Sequence, residues 1–192
     1  MRQLLEEQLV RRRPVWQALS ELFLDTETRP SVSLSAAACL HSGYSDAELD
    51  VIWRYEISPV LAPNLLCAAG EWAGIDQVWL EDKIVHCRRG LFDDMARWVN
   101  QEHWAEVGRL INWLRPWSHA RQAAVADVIS SMAWIALDEE STRSLATSGF
   151  HEAERLKIWS EAAAPMLTAL HEKRQDPPLE DLLARGRAGL SR

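Results

Sequence analysis

The stretch that decides the fold is residues 118–137, which read SHARQAAVADVISSMAWIAL. Its apolar side chains are spread around more than one face of a helix, a distribution typical of a helix that is buried on most sides. Ser118 is suited to cap the first turn, because a serine hydroxyl can accept a hydrogen bond from a free backbone N–H there. We therefore predict a central apolar helix near 118–137.

The rest of the chain consists of shorter segments in which apolar residues recur at steps of three and four, separated by Pro and Gly. The clearest helix start is Ser45, which is followed three residues later by Glu48 in a capping-box pattern. Asp76 is placed to cap another helix, and we expect its inward face to consist of Val78, Trp79, Ile84 and Val85. No alternating strand pattern persists, and no internal repeat is evident. These patterns predict an all-α fold, a single-domain irregular multi-helix bundle.

The chain has 192 residues, of which 47% are hydrophobic, so one domain can bury a core of ordinary size. After Gln175, the sequence Asp-Pro-Pro at 176–178 is typical of a linker, and we expect at most one weak helical turn beyond it. The predicted boundaries are a helical domain at 1–175 and a weakly ordered, Pro-containing tail at 176–192.

Several features indicate a cytoplasmic protein. The first residues mix acids into an apolar run, unlike a signal peptide, and no stretch approaches the roughly 18 consecutive apolar residues of a membrane span. The three cysteines are an odd number with wide spacing, which favours reduced thiols. We predict a cytoplasmic location and no membrane partner.

The net charge of −7 is unevenly distributed. The segment from Ser45 to Asp82 contains eight acidic side chains and a single base, Arg54. An acidic surface repels nucleic-acid phosphates and attracts basic proteins, so we expect a basic protein partner and no nucleic acid. The predicted binding face consists of Asp46, Glu48, Asp50, Glu56, Glu71, Asp76, Glu81 and Asp82.

Tryptophan is abundant, with ten residues of this type. Most of them should be core residues, but tryptophan is also enriched in interface hot spots. Trp113 lies off the apolar stripe of its helix, Trp117 lies just past that helix, and Trp72 lies between Gly70 and Gly74. We predict that these three tryptophans contact the partner.

No motif for metal, nucleotide or nucleophile chemistry is present. Cys39 and His41 could form a zinc site with His86 and Cys87. However, consecutive residues on a helix point about 100° apart, so His86 and Cys87 would rarely reach one ion. No serine lies in G-x-S-x-G, and the glycines form no phosphate-binding loop. We predict no metal and no cofactor, and we assign no catalytic residue.

Two runs resemble those of a family of small uncharacterised bacterial proteins: RRPVWQALSELFLDT at residues 12–26 and NLLCAAGEWAG at residues 64–74. The resemblance covers the first half of the chain and implies a bacterial cytosolic protein. The family has no activity to carry over, so the resemblance implies no role for any residue.

Three classes of function remain open. The one that the sequence favours is a bacterial cytosolic protein-binding module, such as an immunity or antitoxin-like protein, that binds a basic partner through the acidic face. The second is an enzyme with a carboxylate and histidine site assembled from residues distant in sequence. The third is a self-associating structural protein, and the oligomeric state does not follow from the sequence.

Overall fold

The computed structural model describes residues 6–24, 26–66, 74–86, 96, 99–137, 145, 148–171 and 176–191. Helices dominate these residues and no strand occurs among them, so the all-α prediction is confirmed. None of the described helices is long and apolar enough to cross a membrane. The α-helices are α1 (Glu6–Ser20), α2 (Arg29–His41), α3 (Asp46–Ile52), α4 (Ser58–Leu66), α5 (Gln77–His86), α6 (Gln101–Leu114), α7 (His119–Leu137), α8 (Glu152–Ile158), α9 (Ala164–Ala169) and α10 (Leu179–Ala188).

The chain divides into two compact units. Unit 1 comprises residues 1–28 and 38–105, and unit 2 comprises residues 29–37 and 106–192. The boundaries predicted from the sequence, a domain at 1–175 and a tail at 176–192, stay a prediction. The structure does place a ten-residue helix, α10, within the last of these segments. Its Leu182 is fully buried, and α10 packs along α7 in unit 2.

The central apolar helix is confirmed as α7, which starts directly after Ser118. The Ser118 carbonyl accepts the first helical hydrogen bonds, from the backbone N–H groups of Arg121 and Gln122. The side chains of Val125, Ile129, Met132 and Ala136, which recur at steps of three and four along α7, are fully buried.

Tryptophans form the core of unit 1. The Trp53 ring is fully buried and stacks on Trp104, with ring centroids 5.0 Å apart and an angle of 8° between the planes. Phe23 also contacts Trp53, with 5.0 Å between the two ring centroids. Aromatic rings bury large areas, so this cluster contributes to the core of unit 1 together with buried aliphatic side chains such as Leu19 and Ile52.

The two units share a structural motif, which we call the corner, at residues 43–59 of unit 1 and 149–165 of unit 2. In each, a glycine with positive φ, Gly43 (φ 69°) or Gly149 (φ 74°), precedes an aromatic residue, and a capping box then starts a seven-residue helix. A left-handed backbone favours glycine, which explains its presence at both positions. A five-residue π turn follows each helix, at Trp53–Ile57 and Trp159–Ala163, and a proline lies just beyond each turn.

The expectation of no internal repeat is therefore wrong. The sequences 42–61 and 148–167 are identical at eight positions, and the aromatic residue after the glycine is Tyr in one and Phe in the other. The repeat is hard to see in the sequence because these identities are scattered among positions that differ. The identical pairs are Ser42/Ser148, Gly43/Gly149, Ala47/Ala153, Glu48/Glu154, Ile52/Ile158, Trp53/Trp159, Pro59/Pro165 and Leu61/Leu167.

The helices on either side of the corner also correspond. Unit 1 packs α1 against its π turn and against α5, and unit 2 packs α7 against its π turn and against α10. Most buried and exposed positions coincide when Leu19 of α1 is matched to Met132 of α7, and Leu80 of α5 to Leu182 of α10. Gln17 differs, since it is exposed and its counterpart Ser130 is buried. Each position in α1, α5 and the corner of unit 1 thus has a counterpart in unit 2.

Candidate partner-binding surface on helix α5

Helix α5 exposes apolar side chains that we predicted to be buried. Asp76 caps the helix as expected, since its Oδ1 accepts a hydrogen bond of 2.7 Å from the Trp79 N–H. The buried face consists of Leu80 and Ile84, which are one turn apart. Val78 is 78% exposed and Trp79 is 45% exposed, so the predicted inward face is wrong at these two positions.

Two grooves flank α5. The larger one, the α1–α5 groove, has a volume of about 620 Å³, and its lining is apolar at Leu9, Val78 and Val85. The smaller one, the α4–α5 groove, has a volume of about 220 Å³ and includes Val60 and Trp79. Asp82 and His86 line both grooves. The polar lining of the α1–α5 groove is completed by Arg13, Gln77 and Glu81.

An ion pair crosses the α1–α5 groove. Arg13 donates from Nε to Glu81 Oε2 at 2.6 Å and from Nη2 to Glu81 Oε1 at 2.9 Å, and its Nη2 also reaches Glu6 at 3.1 Å. These hydrogen bonds from Arg13 lower the pKa of the Glu81 carboxyl group below its usual range. Two parallel bonds also fix the geometry of the pair, which joins α1 to α5.

The low pKa of Glu81 predicts an acid-sensitive contribution to stability. The folded state binds the Glu81 proton more weakly than the unfolded state, so the contribution is present above the unfolded pKa of about 4.3 and is lost as the pH falls. Glu81→Gln should therefore reduce the free energy of unfolding at pH 7, and the gap to the wild type should narrow as the pH falls below about 4.3. Urea unfolding of both proteins across this range measures the gap. A gap that stays constant would contradict the prediction.

The other predicted acids of unit 1 are engaged in several kinds of contact. Asp46 and Glu48 lie in the first turn of α3, where Glu48 completes the capping box with Ser45 and its pKa is lowered by those hydrogen bonds. Asp50 accepts from Arg54 Nε at 2.7 and 2.9 Å and from Trp104 Nε1 at 3.2 Å. Arg54 thus offsets part of the acidic charge of the 45–82 segment.

Glu56 is a half-buried carboxylate on the first π turn. Its Oε2 accepts a 2.8 Å hydrogen bond from Trp16 Nε1, and its Oε1 lies 3.4 Å from Arg12 Nη2. Burial raises the pKa of Glu56, and the charge of Arg12 opposes this shift. The Glu56 side chain is only 15% exposed, so it is part of the interior and not of an open acidic face.

Exposed acids lie on both α3 and α5: Asp46 and Glu48 are exposed on α3, and Asp82 is exposed on α5. Asp82 and His86 form a pair one turn apart, with Asp82 Oδ1 3.0 Å from His86 Nδ1, and the Asp82 side chain stays 61% exposed. Lys83 lies with its Nζ 6.0 Å from the centroid of the Trp79 ring. Asp76 and Asp82 thus place negative charge beside the exposed Val78 and Trp79.

The predicted tryptophans are not brought together with these acids. Glu71 and Trp72 lie outside the described residues. Trp113 and Trp117 belong to unit 2, where their ring centroids are 5.7 Å apart. Both are half-buried: Trp113 Nε1 donates to Glu161 at 3.3 Å, and the Trp117 ring contacts Phe150 and Arg121. Their role in binding stays a prediction.

The described residues include no group of His, Cys, Asp and Glu side chains arranged to hold a metal ion. Cys39 is fully buried, and burial raises its pKa to about 12, which makes it a poor nucleophile. Of the side chains that line the two grooves, none of those described is a Ser, Thr or Cys. The arrangement on α5 is suited to recognition of another molecule by apolar and charged contacts.

The described part of the chain is all-α, and its helix α5 exposes Val78 and Trp79 among charged side chains. The chain belongs to the family described as Domain of unknown function (DUF7079), whose model matches residues 10–123. The match runs from α1 into α7, and it confirms the resemblance to an uncharacterised family. No curated protein sequence and no solved structure matches the chain.

Proposed function

We propose that this chain is a bacterial cytosolic protein-binding module, of the immunity or antitoxin type, that binds a basic protein through the surface of α5. The observation that carries the proposal is the exposure of Val78 and Trp79 next to Asp76 and Asp82. Exposed apolar residues beside charged ones are typical of binding sites, and tryptophan is a frequent hot spot. The acids would accelerate association with a basic partner.

The repeat supplies an internal comparison that supports this proposal. Val78 and Trp79 correspond to Glu180 and Asp181 of α10, which are exposed as well. The fold therefore accepts acidic residues at these two positions, and it does not require apolar ones. A function in recognition accounts for Val78 and Trp79 where the fold alone does not.

The proposal predicts a partner that crosslinks to α5. The photocrosslinker p-benzoylphenylalanine is placed at position 78 of the full chain in the cells that make it, and the matched control carries it at position 180 on α10. We expect a basic protein to be captured from position 78 and not from position 180. Calorimetry with that protein should show an affinity that falls as salt is added.

Variants then separate binding from folding. Val78→Glu and Trp79→Asp carry the residues of the second unit and should weaken the affinity by about 10- to 100-fold, with little change in the free energy of unfolding. Asp82→Asn should weaken it less, and Asp181→Asn on α10 should leave it unchanged. An immunity role further requires that the partner alone arrests growth and that co-expression of the wild type, but not of Val78→Glu, restores it. A captured protein that binds the Val78→Glu variant as well as the wild type would overturn the proposal.

A further inference from the structure

The two units differ at one corresponding helix contact, which we call the seam. It joins α1 to α5 in unit 1 and α7 to α10 in unit 2. In unit 2, α10 lies close against the π turn at Gly186, and the chain just past α10 lies close against α7 at Gly189. A Cβ atom added to Gly186 would lie 2.1 Å from the Trp159 ring, and one added to Gly189, just past α10, would lie 2.5 Å from Ile135 of α7. In unit 1, the corresponding seam between α1 and α5 contains the α1–α5 groove.

The residues at the seam explain this difference. Arg13 of α1 corresponds to Ala126 of α7, and Glu81 of α5 corresponds to Leu183 of α10. Ala126 is fully buried in unit 2, whereas the Arg13 and Glu81 side chains remain 32% and 24% exposed and bridge the two helices. A long arginine and a glutamate joined end to end occupy more space between helices than an alanine and a leucine.

A second ion pair on α1 follows the same pattern. Arg12 corresponds to Val125, and its partner Glu56 corresponds to Ala162, and both of the residues in unit 2 are fully buried. Unit 1 therefore joins α1 to its π turn through Arg12 and to α5 through Arg13, where unit 2 uses direct apolar packing. The fold as such does not need either ion pair, because unit 2 is built without them.

We propose that the Arg13–Glu81 ion pair holds α5 apart from α1 and so keeps the α1–α5 groove open for an amphipathic helix of a basic protein partner. This second proposal rests on the binding function proposed above, and it identifies an amphipathic helix as the element that the partner would insert. Val78, Glu81, Asp82 and Val85 recur along α5 at helical spacing, and Leu9 and Arg13 are one turn apart on α1. Two such rows on neighbouring helices match the way in which an amphipathic helix is bound in a groove.

The charges of the groove favour a basic occupant. Glu81 is paired with Arg13, and the other acid of the groove lining, Asp82, stays 61% exposed beside His86. A lysine or arginine on the polar side of the bound helix would reach Asp82, while its apolar side chains contact Leu9, Val78 and Val85. Helix α5 has ten residues, so the groove accommodates about 15 Å of helix, or roughly three turns.

The test uses the full chain with labelled Leu and Val methyl groups and a probe peptide. The probe is an amphipathic helix of about 14 residues, built from Leu on one face and Lys on the other. One control peptide has Glu in place of Lys, and another has a central proline that breaks the helix. Of the three peptides, we expect only the Leu/Lys peptide to shift the methyl signals of Leu9, Val78 and Val85. Val78→Glu should weaken the affinity of the protein for this peptide by about tenfold or more.

The double variant Arg13→Ala with Glu81→Leu places the residues of unit 2 at the seam. We expect it to remain folded, to give new cross-peaks between methyl groups of α1 and α5, and to lose binding of the Leu/Lys peptide. Unchanged methyl contacts in this variant would overturn the spacing role of the ion pair, whatever the peptide does. If the double variant closes the seam but the wild type does not bind the Leu/Lys peptide, the proposal that a helix occupies the groove would be overturned. If a basic protein is still captured from position 78 in the double variant, the proposed function stands. The groove is then refuted as the site that binds this protein.

Discussion

Asp176→Asn is expected to destabilise the protein by about 3–5 kcal/mol, the usual effect of removing one partner of a buried ion pair. Arg29 donates from Nη1 and Nη2 to the two oxygens of Asp176, at 2.5 and 2.8 Å. The two side chains are only 8% and 7% exposed. An asparagine of the same size cannot balance the guanidinium charge, and a buried charge without this carboxylate is costly.

The matched control is Asp181→Asn, which removes an acid of the same type from the exposed surface of α10. Its effect should stay within about 0.5 kcal/mol. A double variant, Arg29→Met with Asp176→Leu, should recover much of the loss, because apolar residues of similar volume often replace a buried ion pair well. The measurement is urea unfolding at pH 7, and a loss below about 1 kcal/mol for Asp176→Asn would show that the pair is hydrated in solution.

This ion pair shows where sequence reasoning stops. The run Asp-Pro-Pro at 176–178 has the composition of a linker, and nothing near it in the sequence indicates a partner for Asp176. The partner is Arg29, in the first turn of α2 and in the same compact unit. Contacts between residues so distant in the chain depend on tertiary packing, which no local pattern records.

Features that depend on local chemistry were predictable. The capping box of Ser45 and Glu48 is present in full, since it needs only two side chains three residues apart. The central helix α7 was predicted because apolar residues on more than one face of a helix favour burial. The prediction for α5 failed because Val78, Trp79, Leu80, Ile84 and Val85 allow two inward faces, and the structure selects Leu80 with Ile84.

The acidic face was predictable only in part. The excess of acids between Ser45 and Asp82 is evident from the sequence, but its distribution in space is not. Arg12 and Arg13 come from α1 and neutralise Glu56 and Glu81, which the sequence counts as surface charge. Comparison of α5 with α10 would have been the one signal able to single out Val78 and Trp79, and it required the repeat to be recognised first.

Gly186→Ala is the second substitution with a large expected effect, a net loss of about 1–3 kcal/mol. In an exposed helix interior the same change usually stabilises a protein by about 0.5–1 kcal/mol, because alanine loses less backbone entropy on folding. At Gly186 the added Cβ atom would lie 2.1 Å from Cη2 of Trp159 and 2.6 Å from its Cζ3. The Trp159 ring is nearly fully buried and has little room to move, so overpacking should exceed the gain in helix propensity.

Gly108 offers a matched control within the same chain. It lies inside α6, and a Cβ atom added there would meet no heavy atom within 4 Å. Gly108→Ala should therefore stabilise the protein by the ordinary amount, about 0.5–1 kcal/mol. Opposite signs in urea unfolding would establish that close approach, and not helix propensity, selects glycine in α10. Trp159→Phe combined with Gly186→Ala should restore part of the loss, since a smaller ring frees the space that the methyl group needs. If Gly186→Ala were as stable as Gly108→Ala, the close approach of α10 to Trp159 in the π turn of unit 2 would be refuted.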